Sequence, residues 1–156
     1  MPETFPVLDR AFRATVYRVY GVESEAEAED GGKAGVFDLR IGEKHAAFDD
    51  FLHRRGVTHW AIVTACNPGA QCHDAAFNAA AQGRLLARIQ AAGWDCRPAL
   101  NRAEQGTEPG NIWPDEPGWL LLGIDRATAC SLAGDFGQLA CVYGERGAAP
   151  MLLWAA

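Results

Sequence analysis

Apolar positions along this chain follow two rhythms, and each rhythm predicts its own element. Residues 13–20 (Arg-Ala-Thr-Val-Tyr-Arg-Val-Tyr) alternate small or apolar with polar side chains and are rich in β-formers, the pattern of a strand with one wet face. A second strand is expected at about 36–41, making a hairpin whose long acidic, Gly-bearing loop at about 22–35 is expected to be flexible. Between His45 and Arg55, Ala47, Phe48, Phe51 and Leu52 recur at helical spacing until Gly56 stops them. His59–Ala65 is almost continuously apolar, as a central strand buried on both faces would be, and it breaks at Cys66-Asn-Pro-Gly69. Asp74 then caps a long helix that reaches Ala92 and ends at Gly93, with Phe77, Ala81, Leu85 and Ile89 as its expected buried stripe.

The second half repeats the scheme. Asp95–Leu100 predicts a strand, Asn101–Pro117 a Gly- and Pro-bearing loop, and Trp119–Ile124 another strongly apolar strand. Asp125 opens a short helix to about Phe136, closed by Gly137; Leu139–Tyr143 and Met151–Trp154 pair across a turn at Gly144–Pro150. The order β-β-α-β-α-β-β-α-β-β has adjacent strand pairs, which excludes a purely doubly wound sheet. It predicts an α/β (α+β) fold, a single domain over 1–156 with a mixed β-sheet and about three helices packed on it.

Charge changes the picture in one place. Of the net −6, all but one unit is carried by Glu23, Glu25, Glu27, Glu29 and Asp30, so the rest of the chain is close to neutral. With no Lys/Arg cluster to track phosphates, nucleic acid is not an expected partner. No apolar run is long enough for a membrane span and the N-terminus lacks a signal-peptide pattern, so a membrane is not expected either, and the cytoplasm is the expected location. The five cysteines (66, 72, 96, 130, 141) are odd in number and irregular in spacing, which predicts free thiols. Cys66, Cys72 and His73 lack the second close ligand pair of a zinc site, and neither a metal nor a cofactor is expected.

Thr64-Ala-Cys-Asn-Pro68, Asn78, Trp113-Pro-Asp-Glu-Pro117 and Phe136-Gly-Gln138, preceded by Thr15-Val-Tyr17 and Leu39-Arg-Ile-Gly42, carry a resemblance. Together they resemble a bacterial family of uncharacterised proteins, domain of unknown function 3293, over about Arg13 to Leu153. The resemblance implies a shared fold and a shared site and brings no activity with it. Its pattern has Trp where this chain has Cys66, Ser at Gly118 and Asn at Leu139, which counts against Cys66 as a nucleophile despite nearby His73.

The candidate chemistry sits where strands end. The carboxyl end of a central strand, followed by a helix N-terminus, is where α/β sheets place ligands and where an anion would be favoured. Asn67, Asn78, Glu116 and Gln138 are expected to line one pocket there. Arg40 is added as a bidentate contact to an anionic group. The expected function is binding of a small polar or anionic ligand, or an enzyme in which Glu116 is the acid or base and the amides orient the substrate. The competing expectation is a non-catalytic protein-interaction or regulatory module in which these groups are structural. The sequence sets neither the ligand nor the oligomeric state.

Overall fold

The computed structural model describes residues 5–21, 35–103 and 114–155. The acidic loop at about 22–35 falls almost entirely outside the described residues. The elements are α1 (Phe5–Arg13), β1 (Thr15–Tyr20), β2 (Val36–Leu39), α2 (Ala46–Arg54), β3 (His59–Val63), a 3-10 turn (Pro68–Ala70), α3 (Ala75–Ala92), β4 (Asp95–Ala103), β5 (Glu116–Leu122), α4 (Arg126–Asp135), β6 (Ala140–Glu145) and β7 (Met151–Trp154). The strands form one sheet in the order β2-β1-β4-β5-β3-β6-β7.

The α+β class is as the pattern predicts, with two corrections. Every pairing between neighbours is antiparallel rather than mixed. The two parallel-running pairs that α3 and α4 join, β3 with β4 and β5 with β6, each have one antiparallel strand inserted between them. There is also a fourth helix, α1. Pro6 stands in its first turn, where a missing N–H costs nothing, and Leu8 and Phe12 share a face one turn apart.

Period-2 alternation on β3 and β5 divides the core. Trp60, Ile62, Leu120 and Leu122 enter one apolar cluster with Phe37, Phe48, Phe51 and Leu52; Phe12 of α1 packs at its margin. Ala61, Val63 and Leu121 enter the other with Leu85 and Ile89 of α3 and Leu132 of α4. The sheet is therefore a middle layer, as the continuous apolar runs require. Trp60 lies opposite Gly144 on β6, and its indole fills the space a side chain there would occupy.

Helix ends follow local chemistry. His45 Nδ1 accepts from the Phe48 amide, Asp74 from that of Phe77 and Asp125 from that of Thr128. Gly93 closes α3 at φ 76°. Phe77 departs from the expected stripe: it is 42% exposed, and it stacks on His73 with ring centroids 4.4 Å apart.

The sheet curls around the first cluster. The backbone beyond edge strand β2 meets the segment entering edge strand β7, where Gly42 N–H donates to Pro150 O at 2.9 Å. The Phe12 ring meets that of Trp154, edge to face, at 5.8 Å. The concave face therefore becomes a half-closed trough with α1 over it.

Candidate functional site

The carboxyl end of β3, the amino ends of β5 and β6 and the N-terminus of α3 meet at one end of the sheet. Backbone register brings further residues there: Tyr17 pairs with Asn101, and Asn101 with Glu116, so these three form a row across β1, β4 and β5. Directly paired antiparallel residues point to the same face. For this row that is the concave one. Glu116 is thus the first residue of β5 rather than part of a loop before it, because β4 and β5 each run further than their apolar residues alone indicate. Trp113, part of the family motif, lies outside the described residues.

Asn67 is the hub. Its backbone is left-handed at φ 50°, a conformation Asn tolerates better than most residues, and the residue is 4% exposed. Its Oδ1 accepts from the His73 amide and from Asn78 Nδ2, each at 2.9 Å, and its Nδ2 donates to Glu116 Oε2 at 2.8 Å. Asn78 Oδ1 takes the Asn67 backbone N–H at 2.9 Å, and one turn along α3 Gln82 Oε1 takes that of Ala65 at 2.7 Å. Two amides at i and i+4 on one helix face thus grip alternate N–H groups of the chain leaving β3, groups a buried irregular segment would otherwise leave unpaired. Backbone partners also fix the orientation of each of these amides.

The remaining contacts close the loop. Gln138 Nε2 donates to Cys66 O at 3.0 Å and to Phe136 O at 3.5 Å. Thr64 Oγ1 donates to Pro117 O at 2.7 Å and accepts from the Cys66 amide at 3.1 Å. Gly69 N–H donates to Gly137 O at 2.8 Å; Gly137 has φ 70°, and a Cβ there would come within 2.8 Å of Pro68. Burial first, and the neighbouring Glu116 charge further, push the Cys66 thiol up, with Thr64 opposing. That is the reverse of an activated nucleophile.

Inside the trough, beside this network, lies a recess of about 30 Å³. Phe12, Ile62 and Leu152 wall it; Tyr17, Thr64, Asn101, Glu116 and Gln138 give it polar groups. The Oδ1 of Asn101 is buried without a hydrogen-bond partner. Burial chiefly, and the Glu116 charge in part, drive the Tyr17 phenol far above its ordinary value; its hydroxyl donates to Phe12 O at 3.0 Å.

Four of the five candidates from sequence therefore meet: Asn67, Asn78 and Glu116 through one another, and Gln138 through Cys66 O. Arg40 follows β2, whose last residue, Leu39, pairs with Tyr17 at the outer end of the same row across β1, β4 and β5. Sequence reading missed Asn101, Thr64 and Tyr17. Only strand register places Asn101 beside Glu116, and no local pattern carries that. Among the described residues, no group of three or more His, Cys, Asp or Glu side chains could hold a metal ion. No helix among them is long and apolar enough to cross a membrane.

These features define an α+β domain with a polar recess at one end of a curled antiparallel sheet. A family model described as Protein of unknown function (DUF3293) matches residues 63–141, about half of the chain, and the chain belongs to that family. The match starts at the last residue of β3 and ends early in β6, so it holds Thr64, Asn67, Asn78, Asn101, Glu116 and Gln138; Tyr17 and Arg40 lie before it. No curated protein and no solved structure matches the chain.

Proposed function

We propose that this chain is a small-ligand-binding domain whose site is the recess at the sheet end, with Glu116, Gln138, Asn101 and Thr64 as its polar contacts. In this reading Asn67 and Asn78 do not meet the ligand. They spend their hydrogen bonds on each other and on the loop, and so hold the Glu116 carboxylate in place. The single observation that carries the reading is Asn101 Oδ1, a buried acceptor with no partner in the chain beside a recess bordered by four other polar side chains. Such a group costs roughly 1–3 kcal/mol unless water or a ligand meets it. The concave mouth of a curled sheet is a common place for small-molecule sites. Were the domain an enzyme, proton transfer would fall to Glu116.

The test is a thermal-shift screen of a metabolite library against purified protein. A ligand present at about 100 times its dissociation constant adds roughly 2.7 kcal/mol. For a chain of this size that raises Tm by about 5–10 °C. The rise should vanish in Glu116→Gln, which keeps an acceptor for Asn67 while removing the charge. A rise insensitive to Glu116→Gln places the ligand elsewhere. A library with no hit favours the interaction-module reading.

A further inference from the structure

We infer that the recess takes the primary carboxamide of a neutral small molecule, held edge to edge by the side-chain amide of Asn101. This rests on the small-ligand reading above and names the ligand's class. Asn101 lies in β4 between Tyr17 and Glu116, faces the concave side and lines the recess. Its Oδ1 is buried with no hydrogen-bond partner, and among the described residues nothing accepts from its Nδ2. Asn67 and Asn78 spend both ends of their amides on each other, on the loop and on Glu116. Asn101 spends neither end, and strand register alone sets it there. An amide edge carries one acceptor and one donor side by side in one plane. Its complement is a donor beside an acceptor at the same spacing. A second primary amide supplies that pair: one N–H to Asn101 Oδ1, and its carbonyl to the Nδ2 hydrogen.

Simple ions fit half of this edge. A carboxylate accepts from Nδ2 and leaves Oδ1 facing another acceptor; an ammonium donates to Oδ1 and leaves Nδ2 facing another donor. Either leaves a partly dehydrated polar atom unpaired, which weakens binding roughly 5- to 150-fold relative to the amide. Turning the Asn101 amide over, so that O and N trade places, leaves the complement unchanged. The ligand's second N–H also finds an acceptor. Gln138 Nε2 donates to Cys66 O and Phe136 O, which leaves Oε1 as the open end of that side chain in the same recess. Glu116 borders the space too, and its part in affinity is what Glu116→Gln reads; the choice of class lies with Asn101. Size agrees. A recess of about 30 Å³ holds the equivalent of roughly two waters. The oxygen and nitrogen of one carboxamide take their places, and the remainder of the molecule stays outside.

The experiment follows the side-chain amide resonances of Asn101 and Gln138 in the full-length protein by NMR. Four probes are titrated: acetamide, N-methylacetamide, sodium acetate and methylammonium chloride. Acetamide should shift both side chains saturably, half-maximal at roughly millimolar to tens of millimolar, the range open to so small a ligand. N-methylacetamide carries its N–H on the far side from its carbonyl and offers no paired edge, so it should not saturate; nor should either salt. Asn101→Leu removes no bond made within the chain, so it should fold, and the Gln138 response to acetamide should disappear. Should that variant fail to fold, the four titrations of the native protein still decide. Acetate or methylammonium saturating at Asn101 as readily as acetamide overturns the amide class and spares the binding site. An N-methylacetamide response equal to that of acetamide, or no response to acetamide, also overturns it. If the metabolite screen still yields a hit that Glu116→Gln abolishes, only the class falls; if that screen is silent as well, the binding reading falls with it.

Discussion

Replacing Asn67 tests whether the loop after β3 is held by side-chain hydrogen bonds or only by its backbone. Asn67→Gly keeps the left-handed conformation available and deletes three side-chain bonds: those from His73 N and Asn78 Nδ2, and that to Glu116 Oε2. At about 1 kcal/mol net each the loss is roughly 3 kcal/mol, a large fraction of a typical 5–15 kcal/mol stability. Asn67→Ala loses the same bonds and also forces a Cβ-bearing residue with no local hydrogen bond to hold φ 50°, adding about 1 kcal/mol. The pair of variants therefore separates bonding from backbone strain. Urea unfolding followed by tryptophan fluorescence reads both, and a cycle with Asn78→Ala should show positive coupling, because the two residues share partners. An Asn67→Gly loss below about 1 kcal/mol, or strict additivity with Asn78→Ala, refutes the network as the element that holds the loop.

Three further outcomes are expected. Gly144→Ala should cost about 1–3 kcal/mol by driving a Cβ into the Trp60 indole, read as a lower urea midpoint at an unchanged slope. Denatured, unreduced protein should titrate five free thiols, while in the native state exposed Cys72 should react far ahead of buried Cys66 and Cys141 with a neutral thiol reagent. Burial raises the Cys141 thiol to about 12 in the folded protein, above its unfolded value, so the unfolded chain ionises first. Its contribution is complete below the unfolded value and is lost as pH climbs from about 9 towards 12; Tyr17, also raised, acts in the same direction, and urea midpoints should fall across that interval.

Local sequence determined those elements whose cause is local. Seven strands and three helices are legible from periodicity, and Asp74, Gly93 and Asp125 mark helix ends because a cap needs only its immediate neighbours. α1 was missed because nine residues offer little more than two turns of pattern, and Pro6 in the first turn reads first as a breaker. Asn67, Asn78, Glu116 and Gln138 could be picked out as polar residues at element ends. What they do to one another could not, since Asn67 and Glu116 are 49 positions apart and meet only through the order β4-β5-β3. The order and direction of the strand pairings beyond the two hairpins, the curl that encloses the recess and the arrival of Asn101 beside Glu116 were decided by tertiary structure. The physical reason is that periodicity reports which face of an element is buried. Register and strand order, which decide which buried faces meet, are set by packing of the whole sheet.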